Sequence, residues 1–73
     1  MSKDLGIGPQ KLLELRLKAN KTQEEVAEAV EVRDHTVRNW EKGRSVPRLT
    51  IRQVKALCRI LDCSLDDLPD EFL

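Results

Sequence analysis

The pattern of apolar and polar positions predicts two short helices joined by a tight turn within residues 22–47. Thr22 and Glu25 have the spacing of a capping box, in which each side chain accepts a hydrogen bond from the other residue's backbone N–H. The first helix of the pair should therefore begin near Gln23. Its apolar positions recur at helical spacing, at Val26, Ala27 and Val30.

The second helix of the pair has two faces of different character. It should begin at Arg33 or Asp34 and end at Lys42, because Gly43 readily takes the left-handed conformation that closes a helix. One face is suited to docking and bears Val37, Trp40 and Glu41. The other face is polar and mostly basic, and bears His35, Arg38, Asn39 and Lys42. Such a face predicts DNA binding, with an ordinary solvated surface as the alternative.

Three further helices are predicted around this pair. Pro9 suits the first turn of an N-terminal helix, whose apolar positions are Leu12, Leu13, Leu15 and a partly exposed Leu17. Thr50 and Gln53 repeat the capping-box pattern. The fourth helix that they begin should have an inner face of Ile51, Val54, Leu57, Cys58 and Leu61. A short fifth helix should follow Ser64 and end near Leu68.

Charge is segregated along the chain, although the net charge of the 73 residues is zero. Residues 33–59 contain eight Lys or Arg against two acidic residues, a balance of +6, whereas residues 23–31 carry −4 and residues 60–73 carry −5. The basic stretch covers the second helix of the pair and the loop after it. Because the local potential attracts phosphates, zero net charge is compatible with a nucleic-acid partner. A generic charged surface is the alternative.

Length and composition fit one small cytoplasmic domain. No apolar run approaches the roughly 20 residues that a membrane span requires, and the N-terminus lacks the apolar region of a signal peptide. We therefore expect a cytoplasmic protein that does not contact a membrane.

The sequence offers no recognisable catalytic or metal-binding set. Cys58, Cys63 and the single histidine, His35, lack the spacing of a zinc motif. Both cysteines are expected to be reduced core residues, with a redox-sensing pair as the alternative. There is no nucleophile with a base and an orienting group, and no phosphate-binding glycine loop, so we expect neither an enzyme nor a cofactor.

Several pieces of the chain, in order and spacing, resemble the lambda-repressor-like helix-turn-helix domains of the Cro/CI, or XRE, family. They are LLELR at 12–16, TQEEVA at 22–27, TVRNWEKG at 36–43, the proline at 47 and CSLDDL at 63–68. The resemblance spans about residues 9–68 and implies an all-α fold, a compact bundle of about five helices with a recognition helix at about 34–42. Residues 1–73 then form a single domain with flexible ends at 1–7 and 70–73.

Two positions at the turn depart from the family pattern. Glu31 stands where similar domains usually have glycine, so it must tolerate a left-handed backbone at a cost on the order of 1 kcal/mol, or the turn is built differently. Asn20, by contrast, is a residue type that tolerates the left-handed conformation expected at the end of the first helix. Arg33 stands where a serine or threonine commonly caps the recognition helix. Asp34 is therefore expected to take over the cap and to start the helix one residue late.

The resemblance, together with residue chemistry, assigns contacts to double-stranded DNA. Phosphate contacts are expected from Gln23, Arg33, Lys42, Arg44, Ser45 and, more weakly, Arg48. Base contacts are expected from Asp34, His35, Thr36, Arg38 and Asn39. Arg38 suits guanine, Asn39 suits adenine, and the Thr36 methyl group suits thymine. Asp34 either accepts from cytosine or serves as the helix cap.

Similar domains also pair an arginine of the first helix with a glutamate at the end of the recognition helix. Arg16 and Glu41 stand at the matching positions, and we expect a structural ion pair there.

The expected working form is a transcription regulator, with a repressor favoured, that binds DNA as a homodimer. Apolar residues near the C-terminus could form the dimer contact or complete the monomer core: Leu65, Leu68, Phe72 and Leu73. The rival function is a protein-interaction module of the same fold, antitoxin-like or co-activator-like, which the zero net charge and the acidic tail keep open.

Overall fold

A computed structural model describes residues 8–69, and these residues form an all-helical bundle. The helices are α1 (Gly8–Lys18), α2 (Gln23–Val30), α3 (Asp34–Glu41) and α4 (Ile51–Ile60), followed by a single 3₁₀ turn at Leu65–Asp67. The prediction of about five helices is therefore slightly wrong, since the fifth element is this one turn. Leu68 adopts extended backbone angles because Pro69 follows it, and proline disfavours a helical conformation in the residue before it. The expected flexible ends, 1–7 and 70–73, lie outside the described residues.

Capping boxes begin α2 and α4, as predicted. At α2, the Glu25 N–H donates to Thr22 Oγ1 at 3.0 Å and the Thr22 N–H donates to Glu25 Oε1 at 2.8 Å. The N–H of Thr22 lowers the pKa of the Glu25 carboxyl, because it stabilises the ionised form. At α4, the Gln53 N–H donates to Thr50 Oγ1 at 3.1 Å and the Thr50 N–H donates to Gln53 Oε1 at 2.9 Å. These bonds satisfy backbone N–H groups that have no partner within the helix.

The four α-helices close in the same way, with a left-handed residue just beyond each helix. The φ angles are 60° at Asn20, 62° at Glu31, 75° at Gly43 and 52° at Asp62. In each case, backbone N–H groups fold back onto carbonyls of the last turn. At α2, for example, the Val32 N–H donates to the Ala27 carbonyl at 2.9 Å. Of the two possibilities for the turn, the structure has the left-handed Glu31.

The core is built around α2, which packs against both α3 and α4, while α1 packs against α3. Its buried side chains are Leu12, Leu15, Val26, Ala27, Val30, Val37, Trp40, Leu57 and Leu61. Ile51 was expected on the inner face of α4 but is 77% exposed. At 100° per residue it lies about 120° around the helix from Leu57, so it falls outside the face that meets α2. Leu17 is 61% exposed, as expected.

Candidate nucleic-acid interface

One face of α3 is fixed against the bundle by apolar packing and by an ion pair. Val37 is fully buried and Trp40 is 3% exposed. Next to Trp40, the predicted ion pair is present. Arg16 Nε donates to Glu41 Oε2 at 2.6 Å, and Arg16 Nη2 donates to Glu41 Oε1 at 3.1 Å. The two side chains are only 12% and 4% exposed. This two-point contact joins the C-terminal end of α3 to α1.

Gln23 joins the same cluster, which the sequence did not indicate. Its Nε2 donates to Glu41 Oε1 at 2.9 Å, and Arg16 Nη1 donates to the Lys21 carbonyl at 2.9 Å. The cluster therefore connects α1, the start of α2 and the end of α3. An amide nitrogen carries two hydrogens, so the bond to Glu41 occupies one donor of Gln23 and leaves the other for a further acceptor.

The N-terminal end of α3 differs from the prediction. Arg33, with extended backbone angles, is the N-cap residue, and its side chain makes no capping hydrogen bond. The Asp34 carboxylate instead accepts from the N–H of His35, its immediate neighbour, at 2.9 Å. The expectation that Asp34 replaces Arg33 as the cap is therefore wrong. The Arg33 carbonyl accepts the first helical hydrogen bond, from the Thr36 N–H, at 3.0 Å. This bond gives Arg33 the N-cap position and makes Asp34 the first residue of the helix.

The opposite face of α3 lies open to solvent. His35, Arg38 and Lys42 are exposed, while Thr36 and Asn39 are half-buried at its edges. Arg38 Nη2 lies 3.8 Å from Asp34 Oδ2 across one helical turn, with both side chains nearly half exposed. At this distance the contact is a weak surface ion pair rather than a hydrogen bond. The five predicted base-reading residues thus occupy one short helix, and their contacts with DNA stay a prediction.

The predicted phosphate-binding residues flank this open face in the chain. Arg33 precedes α3, and Lys42, Arg44, Ser45 and Arg48 follow it; all five side chains are exposed. The Arg44 N–H donates to the Asn39 carbonyl at 2.9 Å, and Gly43 supplies the left-handed turn between them. Arg44 is therefore held against the last turn of α3 by its own backbone.

The two cysteines lie together at the end of α4. Both thiols are free and half-buried, and the Cys63 N–H donates to the Cys58 carbonyl at 3.0 Å. Burial, with a further contribution from the neighbouring Cys58, raises the pKa of Cys63 to about 11. A thiol that holds its proton this firmly is a poor nucleophile, which agrees with the predicted packing role.

Two further findings concern residues 8–69 as a whole. No group of three or more His, Cys, Asp or Glu residues within this range is arranged to hold a metal ion. The helices of this range are all too short or too polar to cross a membrane.

Comparison with known proteins assigns the chain to a family. A family model described as helix-turn-helix, HTH_3, matches residues 12–68, which is well over half of the chain. Searches of curated proteins and of solved structures found no significant match. The matched range contains α2, the turn at Glu31 and α3. The chain therefore belongs to the HTH_3 family of Cro/CI-type helix-turn-helix proteins, which are DNA-binding regulators.

Proposed function

We propose that this protein is a sequence-specific transcription regulator of the repressor type that inserts α3 into the major groove of DNA. The two unlike faces of α3 are the observation that supports this most strongly. Val37, Trp40 and Glu41 hold one face against the bundle, so the helix presents its other face as a rigid unit. That open face carries donors and acceptors suited to base edges.

In this proposal, Arg38 and Asn39 are the principal reading residues. A guanidinium group donates two bonds to guanine O6 and N7, and a carboxamide pairs with adenine N6 and N7. His35 and the Thr36 methyl group add contacts along the same helix. Asp34 lies 3.8 Å from Arg38, close enough to bias where the guanidinium group points, and it also suits cytosine N4.

The phosphate-binding residues supply affinity without sequence choice. Arg33 and Arg44 stand at opposite ends of α3, which suits contacts to the two backbones that border a groove. Gln23 would use its remaining amide hydrogen on a phosphate at the start of α2, where free N–H groups add to the attraction. Lys42, Ser45 and Arg48 complete the proposed set.

A homodimer in the cytoplasm is the proposed working form, because one small domain makes few base contacts and two copies double them. Leu65, 67% exposed, is the best-placed apolar residue for the dimer contact among those predicted. Leu68 is half-buried and packs against the core. Phe72 and Leu73 lie outside the described residues.

The decisive experiment is selection of bound duplexes from a random pool, followed by titration of the enriched sequence. We expect an enriched site that the protein prefers over random DNA by roughly 1,000-fold or more. Arg38→Ala or Asn39→Ala should cost roughly 1–3 kcal/mol on that site and relax base choice at one position. Arg44→Ala should weaken all duplexes alike and lower the salt slope by about 1.

Lys55→Ala is the matched control, because it removes one exposed positive charge from α4 and should change neither quantity. A reporter gene placed behind the selected site should lose expression when the protein is produced; a gain would make the protein an activator. If no sequence is enriched, DNA recognition is wrong and a protein-interaction module becomes the favoured function.

A further inference from the structure

Gln53 makes a contact that its capping role does not require. Its Oε1 accepts from the Thr50 N–H at 2.9 Å, which completes the capping box of α4. The Nε2 of the same carboxamide donates to the Val30 carbonyl at 2.9 Å, in a partly buried position. One side chain therefore ties the start of α4 to the end of α2.

The bonded carbonyl belongs to the residue just before the helix-turn-helix turn. Val30 is the last residue of α2, so its carbonyl has no acceptor role within the helix. Glu31 follows with a φ of 62°, a conformation that L-residues other than glycine adopt at a cost of about 1 kcal/mol. Backbone of this kind persists only where surrounding contacts enforce it. Gln53 supplies one such contact from outside the turn.

The two ends of α3 are held in different ways. At its C-terminal end, Arg16 and Gln23 both hold Glu41. At its N-terminal end, Arg33 offers no side-chain cap, and only three residues separate α3 from α2. Between α2 and the N-terminal end of α3, the backbone passes through the Val30 carbonyl and the left-handed Glu31.

We propose that Gln53 is a positioning residue for DNA recognition. By bonding the Val30 carbonyl, it fixes the turn at Glu31 and so the direction in which α3 presents Arg38 and Asn39. This inference rests on the proposed DNA-binding function, and it predicts that a residue of α4 distant in sequence from the reading helix controls sequence selectivity.

The test compares two variants that lose the bond in different ways. Gln53→Glu keeps the acceptor for the Thr50 N–H but places a carboxylate, which cannot donate, against the Val30 carbonyl. Gln53→Ala removes the carboxamide without changing charge. Both should lower affinity for the selected DNA sequence by about 10-fold and affinity for random duplex by less than about 2-fold. Arg52→Gln is the control, because it matches the charge change of Gln53→Glu at an exposed neighbour.

A second measurement needs no DNA and keeps the two proposals separable. Amide hydrogen exchange at Glu31 and Val32 should speed up by about 10-fold in both Gln53 variants, with amides in the middle of α1 unchanged. Unchanged exchange at Glu31 and Val32 would contradict the proposal that Gln53 fixes the turn. Faster exchange at the turn, together with equal losses for selected and random DNA, would overturn the positioning role. If the wild-type protein selects no DNA sequence although the Gln53 variants speed up exchange at the turn, Gln53 still fixes the turn. The DNA-binding proposal, and with it the positioning role, is then wrong.

Discussion

Glu41 accepts hydrogen bonds from side chains on two other helices, Arg16 on α1 and Gln23 on α2. Its side chain is only 4% exposed, so water cannot replace these partners. A buried ion pair of this kind adds little net stability compared with apolar residues of the same volume, but the loss of one partner leaves an uncompensated charge. The cluster therefore makes the position of α3 sensitive to single substitutions.

We predict that Glu41→Ala destabilises the protein by about 3 kcal/mol, because Arg16 is left without its carboxylate partner. In a domain of this size, each kcal/mol lowers the melting temperature by roughly 4–8 °C. Thermal unfolding followed by circular dichroism measures the change. The control is Glu28→Ala, which removes an exposed carboxylate from α2. Equal melting temperatures for the two variants would contradict the structural role of the pair.

The Cys63 thiol provides a prediction about pH. Its pKa is raised from 9.0 to about 11, so the folded protein holds the thiol proton more firmly than the unfolded chain does. The stability that follows from this is fully present below pH 9 and is lost as the pH rises through about 11. At pH 8 the thiolate fraction is roughly 100-fold lower than in the unfolded chain.

Iodoacetamide labelling at pH 8, mapped to Cys63 by mass spectrometry, should be about 10-fold slower in the native protein than in urea, because the greater nucleophilicity of a high-pKa thiolate offsets part of the lower thiolate fraction. Slow labelling is what a packing role requires. Native labelling as fast as that of the unfolded chain would show a reactive thiolate, and the redox-sensing alternative would then replace the packing role.

At the scale of single elements, α3 begins without the side-chain cap that α2 and α4 have. The threonine side chains that cap α2 and α4 have no counterpart at Arg33. On the proposed function, Arg33 would contact a phosphate rather than cap the helix. An arginine there would add positive charge for DNA, whereas a serine or threonine would add a capping hydrogen bond.

Arg33→Ser should therefore stabilise the fold by about 1 kcal/mol and at the same time weaken binding to all DNA sequences. The first effect is measured as a higher melting temperature and the second by titration with selected and random duplexes. The comparison variant is Arg44→Ser, which removes the same charge without providing a cap. Its melting temperature should not rise. A rise of equal size in both variants would mean that charge, not capping, causes the stabilisation.

The ends of the helices show how far sequence patterns reach at this scale. The capping boxes at Thr22 and Thr50 were predicted and are present, because both partners lie three residues apart and the interaction needs no tertiary contact. The cap of α3 was predicted wrongly. Asp34 has the right chemistry for a cap, but it lies one residue inside the helix. There its carboxylate accepts a hydrogen bond from the N–H of His35.

At the scale of the whole molecule, the fold separates charges that sum to zero. The basic residues of the turn after α3 are exposed, next in the chain to the open face of α3. Glu24 and Glu28 are exposed on α2. The hydrogen bond from the Ser64 N–H lowers the pKa of Asp67, and the positive charges of Lys11 and Lys18 on α1 lower it further. Asp67 thus has basic neighbours of its own on α1. On the proposed function, the exposed positive charge after α3 attracts phosphates.

The candidate site also shows which features a sequence pattern predicts and which it does not. The open face of α3 was predicted, since the positions of His35, Arg38, Asn39 and Lys42 follow from helical spacing alone. The bonds from Gln23 to Glu41 and from Gln53 to Val30 were not predicted. The two bonds join residues that are 18 and 23 positions apart in the chain. The sequence around each glutamine does not indicate which group it bonds.

The sequence by itself determined the features that depend on near neighbours: the amphipathic helices, two of their caps, the left-handed residues at Asn20 and Gly43, and the chemistry of the open face of α3. Resemblance to the family added the pair of Arg16 and Glu41. Tertiary structure alone decided that Ile51 lies outside the face of α4 that meets α2, and which groups the two glutamines bond at the ends of the helix pair. The reason is physical: helical spacing sets which residues share a face, but only packing between helices sets which groups meet across it.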